Sequence, residues 1–299
     1  MLREGGRFNG EGKAALSMET KHISKALQAG KIIEYVVCRQ NVDGGYTFCL
    51  GTESNAQDTY YGLAILKMLN APFPNLWQTI NWLRDFVPDN LYSHYYVAKA
   101  LKLCGQEPDE RLKDFLLSSK FSRMEFKAID VYVEVASEFE TAFMATELAN
   151  IAGVEISREK IAQWLLSYQN TDGGFGAYGH SNLNATYHAV ATLCNLGYPV
   201  KSLKNTLAYV RLCEKPSGGF TVIPSTSAPY MEHVYYGVMA LNLLGERAMY
   251  PENTIRFILK CQNANGGFAR SDLGISTFED TFYAVSALQL LSEQAREIA

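Results

Sequence analysis

The sequence predicts an all-α chain of six helical hairpins, and three observations predict it. Four glycine turns share one pattern: Gln40-Asn41-Val42-Asp43-Gly44-Gly45-Tyr46, then Gln169 to Phe175, Glu214 to Phe220 and Gln262 to Phe268. Twelve-residue runs beginning at Asp58, Ser93, Glu140, Ala185, His233 and Asp280 align with one another, their starts offset by 35, 47, 45, 48 and 47 residues. Each is preceded by another amphipathic run, over 22–38, 74–86, 108–119, 157–168, 200–213 and 251–261. Helix pairs of this length complete their cores by stacking on neighbouring pairs.

Each turn lies between the two runs of its pair. Their double glycines are separated by 129, 45 and 48 residues, so the first gap holds two further repeats whose turns have degenerated. Glycine reaches positive φ without steric cost, which explains the pair as turn geometry and lets the following aromatic tuck beneath the hairpin. The runs after the turns are read on a wheel at 100° per residue. Their ninth residue is always leucine: Leu66, Leu101, Leu148, Leu193, Leu241 and Leu288. The sixth, from Leu63 to Val285, falls on the same face, so that face packs on the outer helices. Opposite it stands the fourth: Tyr61, Tyr96, Phe143, His188, Tyr236 and Tyr283. If six such helices close into a ring, these residues crown a hollow axis, although the same recurrence also suits ordinary packing in a helical solenoid.

Polar residues gather on the axial columns of repeats two to four. They are Lys99, Glu140, Thr146, Glu147, Asn150, His188, Thr192 and Asn195, whereas repeats one, five and six offer mainly apolar side chains there. One polar wall and one apolar wall suit a ligand with a polar head and a hydrocarbon tail. Substrate contacts are therefore expected from Tyr61, Tyr96, Lys99, Phe143, Glu147, Tyr187, Tyr236 and Tyr283. The competing reading pairs Lys99 with Glu147. His94 and His233, at helix starts, are further candidates for an anion or metal at the rim.

Composition narrows the classes. Hydrophobic residues make up 47% of the 299, aromatics 12% and charged residues only 19%, which excludes a disordered or fibrous chain. The net charge of −4 provides no broad cationic surface, so nucleic-acid binding is not expected. No run approaches the ~20 apolar residues of a membrane-spanning helix, and the first residues lack the apolar core of a secretory signal. A cytoplasmic protein is expected, with residues 1–21 a disordered or over-annotated tail, Met18 a second possible start, and 22–299 one domain. The six cysteines, far apart and without a CxxC, read as reduced core residues.

The turn Gln-Asn-x-Asp/Asn-Gly-Gly-Phe followed by a Thr-Phe/Tyr-Tyr-Ala/Gly-Val-x-Ala-Leu helix resembles the repeat of protein prenyltransferase β subunits and of squalene and terpene cyclases. It runs over about 22–295 and implies an (α/α)6 toroid around an axial apolar cavity. For an activity the repeat is much less specific. The resemblance puts forward zinc, with Glu140 and His188 as ligands and Ala142 where the family has a thiolate. Magnesium is a further metal it suggests. Where those enzymes carry basic residues for a diphosphate, this chain has Glu134 and Ser137. The cyclase signature Asp-x-Asp-Asp-Thr falls on Thr277 to Thr281, which makes Glu279 and Asp280 candidate catalytic acids. Asp58-Thr59 opens the first inner helix in the same way, so repeat consensus explains Asp280-Thr281 as well. Six-hairpin glycosidases are a weaker comparison, since the crown lacks tryptophan.

Two function classes follow. One is a prenyltransferase-like transferase acting on an isoprenoid diphosphate with a degenerate or altered metal site, Lys99 or His94 meeting phosphate and a helical α-subunit-like partner required. A cyclase-like enzyme using Glu279 or Asp280 is its variant. The other is a non-catalytic toroid that binds isoprenoid or lipid.

Overall fold

The computed structural model describes residues 28–118, 129–131 and 134–296; the expected tail of residues 1–21 and the start of the first run lie outside them. The outer helices are α1 (Ala29–Val37), α3 (Leu76–Asp85), α5 (Glu110–Ser118), α7 (Arg158–Leu166), α9 (Lys204–Cys213) and α11 (Pro251–Lys260). The inner helices are α2 (Ala56–Met68), α4 (Leu91–Leu103), α6 (Glu138–Ala152), α8 (Leu183–Asn195), α10 (Met231–Leu243) and α12 (Phe278–Arg296). Each inner helix packs on the next, and α12 packs back on α2, so the ring closes. All six leucines of the ninth column are buried between the two layers.

The inner helices begin two residues before the aligned runs because their caps lie there. Asn55, Asn90, Ser137 and Asn182 each accept from the backbone N–H three residues on, at 2.8, 2.9, 3.2 and 2.8 Å. Thr277 does the same for Asp280 at 2.9 Å. Such side chains satisfy amides that have no partner inside the helix.

Each glycine turn locks one hairpin to the next. The backbone N–H groups of Tyr46, Phe175 and Phe268 donate to the hydroxyls of Thr59, Thr186 and Thr281, all at 3.0 Å. The threonine at the second position of each of these aligned runs thus ties the turn to its own inner helix. The first glycine meets the following outer helix. A Cβ on Gly44, Gly173, Gly218 or Gly266 would lie 2.4, 2.2, 2.2 and 2.3 Å from backbone atoms of Gln78, Asn205, Asn253 and Lys31. The last of these contacts joins the sixth hairpin to α1, so the outer layer closes at the same seam as the inner one.

Three local expectations are corrected. Strands β1 (Ile129–Val131) and β2 (Glu134–Ala136) form a short antiparallel hairpin before α6; the alternation Ile129-Asp130-Val131 through Glu134-Val135 carried that period-two signal. A second pair, β3 (Phe268–Ala269) and β4 (Ser276–Thr277), flanks the last turn loop. Cys38, Cys49 and Cys194 are exposed, leaving Cys213 and Cys261 as the buried thiols.

Candidate active site

The ring encloses a cavity of about 270 Å³. The six fourth-column residues all line it, as do Tyr60, Tyr95, Tyr187, Tyr235 and Phe282 from the third column. The third column is a second aromatic tier, of which only Tyr187 is among the expected contacts. The two tiers form an unbroken belt. Tyr61 meets Tyr96 at 5.5 Å between ring centroids, Tyr95 meets Phe143 at 6.4 Å, and Phe143 meets His188 at 5.6 Å. His188 meets Tyr236 at 5.1 Å, Tyr235 meets Tyr283 at 4.6 Å, and Phe282 meets Tyr61 at 5.1 Å. Aromatic faces carry partial negative charge, and ringed around a dry space they stabilise a cation.

A carboxylate stands behind this belt: Glu279 is, like Asp280, absent from the cavity lining, but two residues that line it, Tyr61 and Tyr283, are bonded to it. Glu279 Oε1 accepts from the Tyr283 hydroxyl at 2.9 Å and from the Tyr61 hydroxyl at 3.1 Å. The Tyr61 and Tyr96 hydroxyls lie 3.1 Å apart, and Tyr96 donates to Tyr92 at 3.5 Å. On the other side the Tyr283 and Tyr236 hydroxyls are 3.3 Å apart. Burial first, and the Glu279 charge next, push the Tyr61 and Tyr283 phenols well above their usual range, so both stay protonated donors.

Asp280 stands elsewhere. Its carboxylate accepts from the Thr277 hydroxyl at 2.8 Å, which makes it part of the helix cap, and it is absent from the cavity lining. Burial raises its pKa to about 6. Asp58 caps its own helix in the same way, accepting from Asn55 at 2.7 Å and from the Phe48 N–H at 3.1 Å.

The polar wall is narrower than the wheel implied. Lys99, Glu140, Glu147, His188 and Asn195 line the cavity. Thr146 and Thr192 instead return their hydroxyls to the carbonyls of Phe143 and His188 at 2.9 and 2.7 Å. Asn150 faces outward, accepting from Arg158 at 3.1 Å. Lys99 and Glu147 pair at 2.7 Å, as the competing reading of the sequence had it, and both line the cavity. His94 stacks on Phe115 at 4.0 Å away from the axis, and His233 contacts Glu232 at 3.2 Å.

His188 is buried, and its Nδ1 lies 2.9 Å from the Asn184 carbonyl. A carbonyl only accepts, so Nδ1 carries the proton and Nε2 the lone pair. Burial lowers its pKa from 6.5 to about 4. Below pH 6.5 the unfolded chain takes up a proton that the folded one refuses, so stability falls as pH drops towards 4. Asp280 works in the opposite sense, costing stability as pH rises from about 4 to 6. Replacing His188 with Phe, the residue Phe143 already supplies in this column, removes only the first effect. Urea melts should show the variant gaining on the native protein as pH falls from 6.5 to 4, by on the order of 3 kcal/mol; a constant gap would mean that His188 titrates normally.

The sequence matches the family model for the prenyltransferase alpha-alpha toroid domain over residues 14–86 and 136–298. The chain belongs to the prenyltransferase alpha-alpha toroid domain family. Among solved structures it is similar to Candida albicans protein geranylgeranyltransferase-I complexed with GGPP, at 16% identity and a TM-score of 0.68, covering 88% of this chain and 91% of that one. It is also similar to the type II terpene cyclase MstE from Scytonema in complex with geranylgeranyl dihydroxybenzoate, its substrate. There the identity is 14% and the TM-score 0.58, over 94% of this chain and 99% of that one. These likenesses establish the toroid fold. No curated protein sequence gives a significant match.

Membership of the prenyltransferase toroid family raises the question of zinc. Glu140 and His188 line the same cavity, but Ala142 is buried with no donor atom. Among the described residues no three His, Cys, Asp or Glu side chains converge. Zinc sites that do chemistry keep three protein ligands. The donor set does not fit a catalytic zinc, and no step is derived through one. Nor does any helix of the described residues have the length and apolarity to cross a membrane.

Proposed function

We propose that this toroid binds an isoprenoid chain in its axial cavity and cyclises it through a carbocation, with Glu279 as the acid. The observation that carries the reading is the Glu279 carboxyl held between two belt tyrosines. Its proton adds to one carbon of a double bond, whose electron pair becomes the new C–H bond and leaves a cation on the neighbouring carbon. The next double bond attacks that cation and closes a ring. A final proton loss quenches the last cation, so substrate and product are isomers. Glu279 regains a proton from solvent before the next turnover.

Tyr61, Tyr96, Phe143, Tyr187, Tyr236 and Tyr283 surround the cation in this scheme, and Lys99 with Glu147 holds the polar end of the substrate. Unpaired cysteines suit a cytoplasmic setting. Incubation with a polyprenyl substrate lacking diphosphate should give a product of unchanged mass with fewer double bonds, seen by mass spectrometry and NMR. Recovery of only unreacted substrate from a protein that binds it would reduce the function to carriage.

A second reading is favoured by the likeness to the geranylgeranyltransferase structure. In a transferase of this family, an isoprenoid diphosphate would ionise and alkylate an acceptor, alongside a helical partner subunit and metal ions such as zinc or magnesium. The cyclase reading predicts no pyrophosphate release, no helical partner on co-purification, and zinc below about a tenth of an equivalent. Stoichiometric zinc lost in His188→Ala, together with pyrophosphate release, would favour the transferase.

A further inference from the structure

We propose that the ligand of the axial cavity carries a hydroxyl group seated against Lys99 and Glu147. The inference rests on the reading of the cavity as an isoprenoid site and names the class of isoprenoid it takes. Lys99 Nζ lies 2.7 Å from Glu147 Oε2, and the Tyr95 hydroxyl donates to the same oxygen at 2.6 Å. Both strong bonds therefore fall on Oε2, leaving Oε1 to accept from a ligand. The ammonium, which has three donors, spends one on Glu147 and lies 5.2 and 5.7 Å from the centroids of Tyr95 and Tyr60.

The pair is about a quarter exposed, at 24% and 23%, and its exposed part belongs to the cavity wall. Hydrocarbon laid over it would strip the remaining hydration from two ions, and that cost amounts to several kcal/mol per ion unless new hydrogen bonds replace it. A hydroxyl replaces it on both sides, donating to Glu147 Oε1 and accepting from Lys99. An ether oxygen only accepts, and a methyl group does neither.

Position supports the same assignment. Lys99 follows Tyr96 by three residues, which sets it about 5 Å further along the helix. Tyr96 belongs to the hydroxyl chain of Glu279. The reacting double bond and the hydroxyl thus occupy different levels of one cavity, so the substrate class is an isoprenoid oxygenated away from the carbon that is protonated.

Farnesol, its methyl ether and the matching oxygen-free hydrocarbon test this by thermal shift and isothermal titration. The native protein should bind farnesol roughly tenfold or more tightly than the hydrocarbon, with the ether between them. In the double variant Lys99→Met with Glu147→Leu the order should reverse, the apolar pair now welcoming hydrocarbon. Replacing a buried ion pair by apolar residues of similar size is often neutral for stability, and the ranking in the native protein stands as a test without the variant. Equal binding of farnesol and hydrocarbon by the native protein would overturn the hydroxyl site while leaving the isoprenoid reading intact. If none of the three binds, both fall.

Discussion

Glu279→Gln should reduce cyclisation by at least about a hundredfold, the lower end of what a positioned general acid contributes. Glutamine is nearly isosteric and still accepts from Tyr61 and Tyr283 through its carbonyl oxygen, so the belt keeps its shape. What it lacks is a proton acidic enough to transfer. Ligand binding and melting temperature should therefore stay close to native while turnover disappears. Asp280→Asn is the informative neighbour. Its carboxylate accepts from Thr277 at the helix start rather than from the belt tyrosines, so turnover should persist with only a modest loss of stability. Tyr283→Phe, which removes the shorter of the two hydrogen bonds to Glu279, should fall between them. Full activity in Glu279→Gln would mean that the acid is another group.

Gly173→Ala should be among the most damaging small substitutions in the scaffold. Gly173 has φ of +88°, and an added Cβ would sit 2.2 Å from the Asn205 carbonyl oxygen. That oxygen is backbone of α9 and cannot swing aside, so the turn must part from the next hairpin. The expected loss is about 3 kcal/mol or more, from left-handed strain and the opened contact together. In a domain of this size that lowers the melting temperature by about 6 °C or more. Gly153→Ala separates the two causes. Gly153 has φ of +65° but nothing within 4 Å of its Cβ position, so the variant should lose only about 1 kcal/mol. Equal losses at the two positions would mean that φ alone governs the cost.

The ring was legible in the sequence because its signals are local. The leucine column marks one face of every inner helix, and the aromatic column marks the other whatever the partners are. Other features depend on how neighbouring helices stand beside one another, which a single wheel does not encode. The pairing of Lys99 with Glu147 joins α4 to α6, and the bond from Tyr61 to Glu279 joins α2 to α12. Asn150 shares its column with Asn195, yet the first turns to Arg158 and the second to the cavity. Glu279 and Asp280 are both candidate acids in the sequence; the repetition of the aspartate at Asp58 records a helix cap, while Glu279 has no counterpart at Gln57.

The central claim is that the tyrosine belt holds an isoprenoid at the level of Glu279. A crystal structure of the Glu279→Gln protein soaked with farnesol tests it most directly. The hydrocarbon chain should lie within the axial cavity, with a double bond beside residue 279 and the Tyr61 and Tyr283 rings, and the hydroxyl on Lys99 and Glu147. An empty axis, or a chain bound only on the outer surface of the ring, would contradict it.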